Sequence, residues 1–158
     1  MAKRKRKQPE PAIHLSAGPL PERLMPQFAG LPLVFTDASR LRHGGLAAVL
    51  YVTADAEPVV ERRSVPLDGS NELELAALLF GLEQAARQFP AQRFALFSDN
   101  QDAITRLIRA QTPGLAQDAA LGDIASSLPW ASFHWIKGHG RCRGNAVADA
   151  QARIAASP

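Results

Sequence analysis

Hydrophobic and polar positions change period several times along the chain. Leu33-Val-Phe-Thr36 is a short apolar run that stops at Asp37, as a buried strand does. After a turn containing Gly44-Gly45, residues 46–52 are rich in β-formers. Residues 59–65 can pair with them, because Ala54-Asp55-Ala56 and Pro58 supply turn chemistry between the two. This predicts three consecutive antiparallel strands. Residues 71–89 then switch to helical spacing, with Leu75, Leu78, Leu79, Leu82, Ala86 and Phe89 on one face. Residues 94–97 read as a fourth strand that stops at Ser98-Asp99. Helices follow over 101–110 and about 115–127, separated by Thr112-Pro113-Gly114. Residues 132–136 are the fifth strand, a Gly-rich loop comes next, and 145–156 is an Ala-rich final helix. The order β-β-β-α-β-α-α-β-α predicts an α/β domain over residues 31–158, a five-stranded mixed sheet flanked by helices.

Residues 1–30 show neither period. Five prolines (Pro9, Pro11, Pro19, Pro21, Pro26) are spread through them, and they read as a disordered, basic leader. Charge sharpens this division. Lys3, Arg4, Lys5, Arg6 and Lys7 carry +5 against a total of +3, so the remaining chain is slightly acidic. The run lacks a following hydrophobic stretch and is not a secretory signal. It reads as a phosphate-binding tail, as a nuclear address in a eukaryote, or as a solvated tail with no partner. No apolar run approaches the ~18 residues of a membrane-spanning helix. The single cysteine, Cys142, excludes an internal disulfide and a cysteine-built zinc site, and suits a reducing compartment. A cytoplasmic monomer of bacterial type, or a nuclear protein in a eukaryote, is expected.

The acidic residues fall at informative places. Asp37 follows the first strand and Asp99 the fourth, and ligand sites in α/β sheets gather beyond strand ends. Two carboxylates at neighbouring strand mouths repel each other unless a cation lies between them. Glu74 near a helix start and Asp149 in the last helix complete a possible cluster. Oxygen-only donors suit Mg²⁺ or Mn²⁺ rather than zinc. Each residue also has an ordinary reading. Asp37 and Asp99 suit turns or N-caps, Glu74 suits a capping box with Asn71, and Asp149 suits a solvated helix face. His139 lies between Gly138 and Gly140 on a pliable loop, where an imidazole can move protons or simply face water. His14 and His134 read as structural, and His43 sits in the turn near Asp37.

At these residues the sequence resembles ribonuclease H of type 1. Thr36-Asp37-Ala38-Ser39 is similar to that family's Thr-Asp-Gly-Ser, and Asn71-Glu72-Leu73-Glu74 to Asn-Arg-Met-Glu. Ser98-Asp99-Asn100-Gln101 is similar to Thr-Asp-Ser-Gln, and Trp135-Ile136-Lys137-Gly138-His139 to Trp-Val-Lys-Gly-His. Asn145, Asp149 and Arg153 repeat its Asn-x₃-Asp-x₃-Arg ending. The five motifs occur in order over residues 33–156. The resemblance implies a ribonuclease H-like fold and an endoribonuclease that cuts the RNA strand of RNA–DNA hybrids, leaving 5′-phosphate and 3′-hydroxyl ends. It implies Asp37, Glu74, Asp99 and Asp149 as ligands of two Mg²⁺ ions (Mn²⁺ being possible), Asp37 bridging them, and His139 as a proton-transfer helper. In two-metal hydrolysis the ions sit about 3.5–4 Å apart. Ser39, Ser70, Asn71, Gln101 and Asn145 are implied as substrate contacts, since the RNA 2′-hydroxyl must be read by polar groups.

The chain also departs from the family pattern. The loop after Asp37 lacks Gly-Asn-Pro-Gly, and no basic helix and loop follow Arg109. The corner Leu67-Asp68-Gly69-Ser70 carries no cation of its own. The Lys3–Lys7 tail is the expected substitute. The alternatives are a retroelement-derived ribonuclease H module and a hybrid-binding module whose site has decayed. With Met1 opening the tail and no polymerase before it, a stand-alone enzyme is expected; all four carboxylates are present, which argues against decay.

Overall fold

The computed structural model describes residues 14–112, 118, 121 and 127–158. Three strands form a meander: β1 (Leu33–Arg40), β2 (Gly44–Tyr51) and β3 (Val59–Val65). They pair antiparallel, from Leu33↔Tyr51 to Arg40↔Gly44 and from Gly44↔Val65 to Leu50↔Val59. α1 (Ser70–Gln88) crosses to β4 (Phe94–Ser98), which lies parallel to β1; α2 (Gln101–Gln111) leads on to β5 (Ala131–Trp135), parallel to β4. The chain ends with α3 (Arg143–Ala156), and the sheet order is β3-β2-β1-β4-β5. This is the five-stranded mixed sheet expected from the alternating periods. The helix expected over about 115–127 lies outside the described residues, apart from Asp118, Leu121 and Ser127.

Alternation along β1 divides the core between two faces. Val34 packs with Leu73, Leu78 and Leu82 of α1 and Ile104 and Leu107 of α2. Leu33 and Phe35 point the other way, toward Phe97, Tyr51 and Ala148 of α3. Covered on both faces, β2 is buried along its whole length, whereas edge strand β3 is largely exposed and carries Arg62 and Arg63. Charged side chains on an edge discourage pairing with a further strand. α3 approaches the sheet closely because its N-terminal turn is small. A side chain in place of Gly144 would run into the Phe35 ring.

Two details of β2 and α1 differ from the sequence reading. Gly44 and Gly45 are not in the turn, which is formed by residues 41–43; both lie inside β2, paired with Val65 and Ser64. On α1, Ala86 faces solvent, and the buried face is set instead by Leu73, Leu75, Ala77, Leu78, Phe80, Leu82 and Ala85.

The larger correction concerns the leader. Residues 14–30 were expected to be disordered, yet they form a strap across the α3 face of the sheet. Leu20 is fully buried, and Phe28 meets the Phe97 and His134 rings edge-on at 5.0 and 4.7 Å. Local periodicity is missing here because the order comes from tertiary contacts. The strap also completes the start of α3, whose N-cap residue Cys142 makes no side-chain capping bond. Ser16 Oγ accepts from Arg143 N at 3.1 Å, and the Pro19 carbonyl accepts from Gly144 N at 2.9 Å. These are two of the donors that every helix start leaves without an intrahelical partner. Arg143 Nε donates to Ser16 O at 2.7 Å, and Cys142 Sγ donates to Pro19 O at 3.2 Å.

Leu20→Ala is therefore expected to cost about 2–5 kcal/mol of stability, the range for a buried leucine truncated to alanine. Replacing Lys3–Lys7 by serine should leave stability unchanged. Urea unfolding of the three proteins checks this contrast; an unaltered midpoint for Leu20→Ala would contradict the strap.

Candidate active site

The site arises where β1 leaves β4. Parallel pairing of the two strands ends at Phe35↔Phe97, while β1 stays paired with β2 as far as Arg40. Asp37 thus lies inside β1 rather than after it, with β2 on one side and an opening on the other. Asp99 comes directly after β4, at the same opening. Its turn is built locally: Asn100 N donates to Ser98 Oγ at 3.1 Å, and Asn100 Oδ1 caps α2 by accepting from Ala103 N at 2.9 Å. Glu74 enters from α1. The helix starts at Ser70 with Gly69 as N-cap, so Glu74 stands a full turn inside it. That placement replaces the capping-box reading with Asn71.

Carboxylate oxygens of Asp37, Glu74 and Asp99 all lie within 4.8 Å of one another. Asp37 is 4% exposed, and its Oδ1 accepts from Ala38 N at 2.9 Å. Burial, then the charges of Glu74 and Asp99, push its carboxyl up to about 9. Glu74 is raised to about 7, by burial first and then by Asp99. Its Oε2 is shielded from solvent and has no hydrogen-bond partner. Asp99 is raised by burial, while the charge of His139 and a hydrogen bond from the Asn145 side chain act the other way. An oxygen-only cluster with an orphaned acceptor and mutual repulsion fits a hard divalent cation.

Asp149 stands outside this tight set, although its charge raises all three carboxyls. Its Oδ2 meets Arg153 Nε at 3.3 Å, one helical turn on. His139 is exposed on the loop before α3 and adopts φ +55°, a conformation that costs most residues energy. Gly138 beside it is required by space, since a Cβ there would stand 2.8 Å from Asp99 Oδ2. Ser70, Asn71 and Gln101 are exposed on the first turns of α1 and α2, and Ser39 is half-buried in β1. Asn145, expected as a substrate contact, is buried beside Asp99. It is 4% exposed, and its side chain acts on the Asp99 carboxyl to lower its pKa. Lys3–Lys7 lie outside the described residues.

Sequence reasoning missed two supports. Arg40 Nε donates to Asp68 O at 2.9 Å, bringing a guanidinium to the corner before α1 that has no cation in its own sequence. The signal was the continuation of β1 past Asp37. Trp135 Nε1 donates to Asp99 O at 3.0 Å and fixes the backbone that carries the carboxylate. His134, read as structural, does pack as such, between Phe28 and Phe97 with Nε2 2.8 Å from Ser132 Oγ.

The sheet order, the helix placement and this acidic centre define the ribonuclease H-like fold. Solved structures of ribonuclease H type 1 share it at low identity. The N-terminal RNase H domain of Rv2228c from Mycobacterium tuberculosis, solved as a maltose-binding-protein fusion, superposes with a TM-score of 0.62 at 17% identity, covering 81% of this chain and 94% of that one. RNase H1 of the halophilic archaeon Halobacterium salinarum gives 0.58 at 21%, covering 80% and 97%. LC11-RNase H1, isolated from compost by a metagenomic approach and solved in complex with an RNA/DNA hybrid, gives 0.55 at 16%, covering 76% and 92%. No family model matches the chain, and no curated protein matches its sequence. Among the described residues no helix is long and apolar enough to cross a membrane.

The raised carboxyls give the fold a pH dependence of definite sign. A carboxyl whose pKa is higher folded than unfolded binds more protons in the folded state, so stability falls as pH rises. The loss begins above the ordinary values of 3.8 and 4.5 for Asp37 and Glu74 and continues toward their folded values of about 9 and about 7, respectively. In chelator, the thermal midpoint should fall from pH 5 to pH 9, Asp37→Asn should flatten that decline, and Mg²⁺ at pH 8 should restore the midpoint. Differential scanning fluorimetry reads all three; a midpoint rising with pH would contradict the cluster.

Proposed function

We propose that the chain is a divalent-cation-dependent endoribonuclease that hydrolyses the RNA strand of RNA–DNA hybrids. The observation that carries this reading is the convergence of Asp37, Glu74 and Asp99 within 4.8 Å at the mouth of the ribonuclease H-like sheet, with Glu74 Oε2 left without a partner. The hybrid in the LC11-RNase H1 structure supports the choice of substrate. Asp37, Glu74 and Asp99 would hold Mg²⁺ or Mn²⁺, and Asp149, close by but outside the tight set, is the donor available for a second ion. A cation there would supply charge neutralisation and Lewis acidity to a phosphodiester.

The chain's own groups would then divide the remaining work. Water attacks phosphorus, the bond from phosphorus to the 3′-oxygen breaks, and the products are a 5′-phosphate and a 3′-hydroxyl. His139, exposed between two glycines, exchanges a proton through an imidazole nitrogen at the water or the departing oxygen. Trp135 bonds the Asp99 backbone, Gly138 leaves room for its carboxylate, and Asn145 stands beside it. Ser70, Asn71 and Gln101, exposed on the first turns of α1 and α2, would offer polar groups to the 2′-hydroxyls that distinguish RNA from DNA. Lys3–Lys7 add phosphate attraction that a nearly neutral body lacks.

Labelled hybrid, duplex RNA, duplex DNA and single strands, each with Mg²⁺ or EDTA, are the direct test. Only the RNA of the hybrid should be cut, and only with the cation. Asp37→Asn should bring cleavage below detection while the folded protein still binds hybrid; equal cutting of duplex DNA, or cutting in EDTA, would defeat the reading. The tail is tested by replacing Lys3–Lys7 with serine, which spares the strap that a longer deletion would remove. Hybrid affinity should weaken and its salt slope flatten, by up to about 4.5 if all five cations meet phosphates, with the saturated cleavage rate retained. An unchanged slope would leave the tail without this role.

A further inference from the structure

A groove of about 450 Å³ opens beside the acidic centre, between the strap and the loop that leads from β5 to α3. Pro21, Arg23 and Leu24 line one side, and Trp135, Lys137 and Arg141 the other. The lining holds three cationic side chains and no carboxylate. None of the three forms an ion pair with a described residue. Trp135 is 49% exposed, a large apolar surface left in water. Its indole N–H is tied to Asp99 O, so the ring is held in place by its edge and its face is not used by that bond. Lys137 precedes Gly138, which stands against the Asp99 carboxylate. The groove thus begins where the carboxylate cluster ends.

We propose that this groove is a second nucleic-acid contact, holding an unpaired stretch of polynucleotide that runs out of the catalytic centre. Arg23, Lys137 and Arg141 take its phosphates, and a base stacks on Trp135. Cations alone would suit any polyanion. An oriented indole adjoining them selects a ligand with flat aromatic groups between its charges, the combination by which single strands are bound. The base must be unpaired, because a base within a duplex has both faces covered by its neighbours. The proposal rests on the hybrid-nuclease reading for the direction from which the strand arrives. It gives the strap a role beyond packing, since Pro21, Arg23 and Leu24 form one side of the groove.

The test uses the full chain carrying Asp37→Asn, so that substrate is not consumed. Binding of a blunt hybrid is compared by fluorescence anisotropy with binding of the same hybrid extended by about four unpaired nucleotides. Each strand end is extended in turn, with RNA and with DNA. At least one extension should tighten binding on the order of tenfold, as one stacked base and a few phosphates would. Arg23→Glu and Arg141→Glu should each erase that gain, Arg23→Lys should keep it, and removing one phosphate contact should lower the salt slope by about 0.7. The gain appearing with RNA only, DNA only or both identifies the strand that the groove takes. No gain from any extension, or a gain that survives both glutamate variants, overturns the proposal. So does displacement by polyglutamate as effective as displacement by a single strand of equal charge. If the unaltered chain fails to cut hybrid while the extension effect persists, the catalytic reading falls and the groove stands. Hybrid cleavage with no extension effect sinks the groove alone.

Discussion

Like-charge repulsion inside the fold is the constraint around which the site is organised. Two carboxylates within 4.8 Å of each other repel by roughly 3 kcal/mol or more at an effective dielectric near 20. A domain's whole stability is only about 5–15 kcal/mol, so three such pairs left charged would consume most of it. Protons relieve that load at low pH, and a divalent cation relieves it at neutral pH. The scaffold can hold the carboxylates together because each is carried by a different rigid element: Asp37 by β1, Glu74 by α1, and Asp99 by the turn between β4 and α2. The opening itself follows from strand pairing, since β1 keeps its partner β2 for five residues after it has left β4.

The second half of the architecture steadies α3. That helix brings Asn145 to Asp99 and places Asp149 near the cluster, yet its first turn has no capping side chain of its own. Ser16 and Pro19 satisfy the donors from outside, and Leu20 anchors the strap in the core beside Phe35 and Phe97. Packing at one end of the chain thereby supports electrostatics at the other. Arg40 does something comparable for α1, its guanidinium bonding the loop that precedes the helix.

Strand and helix order was legible because buried strands and amphipathic helices have different periods, and no tertiary contact is needed to see them. The carboxylates were legible through their motifs, and three of the four meet closely. Other features were hidden for physical reasons. The strap has three prolines between residues 19 and 26 and no repeat, and only the pocket for Leu20 reveals that it is ordered. Asp37 looks like the end of a strand because a charge interrupts the apolar run; pairing with β2 continues through it. The burial of Asn145 and its nearness to Asp99 become visible only when α3 is placed on the sheet. Gly44 and Gly45 read as a turn, but close approach by α3 and the α1 side explains them inside β2.

Trp135 gives the site an intrinsic optical reporter. The indole stands in partial contact with water, and its ring nitrogen is fastened to the backbone of a carboxylate that is held among like charges. Emission from such a ring follows its hydration and the field around it. Charging the cluster, filling it with a cation or covering the ring with a base would each perturb the same chromophore in a different way. The chain contains one other tryptophan, Trp130, at the far end of β5. Occupancy of the centre can therefore be followed in the unlabelled protein once that second signal has been silenced.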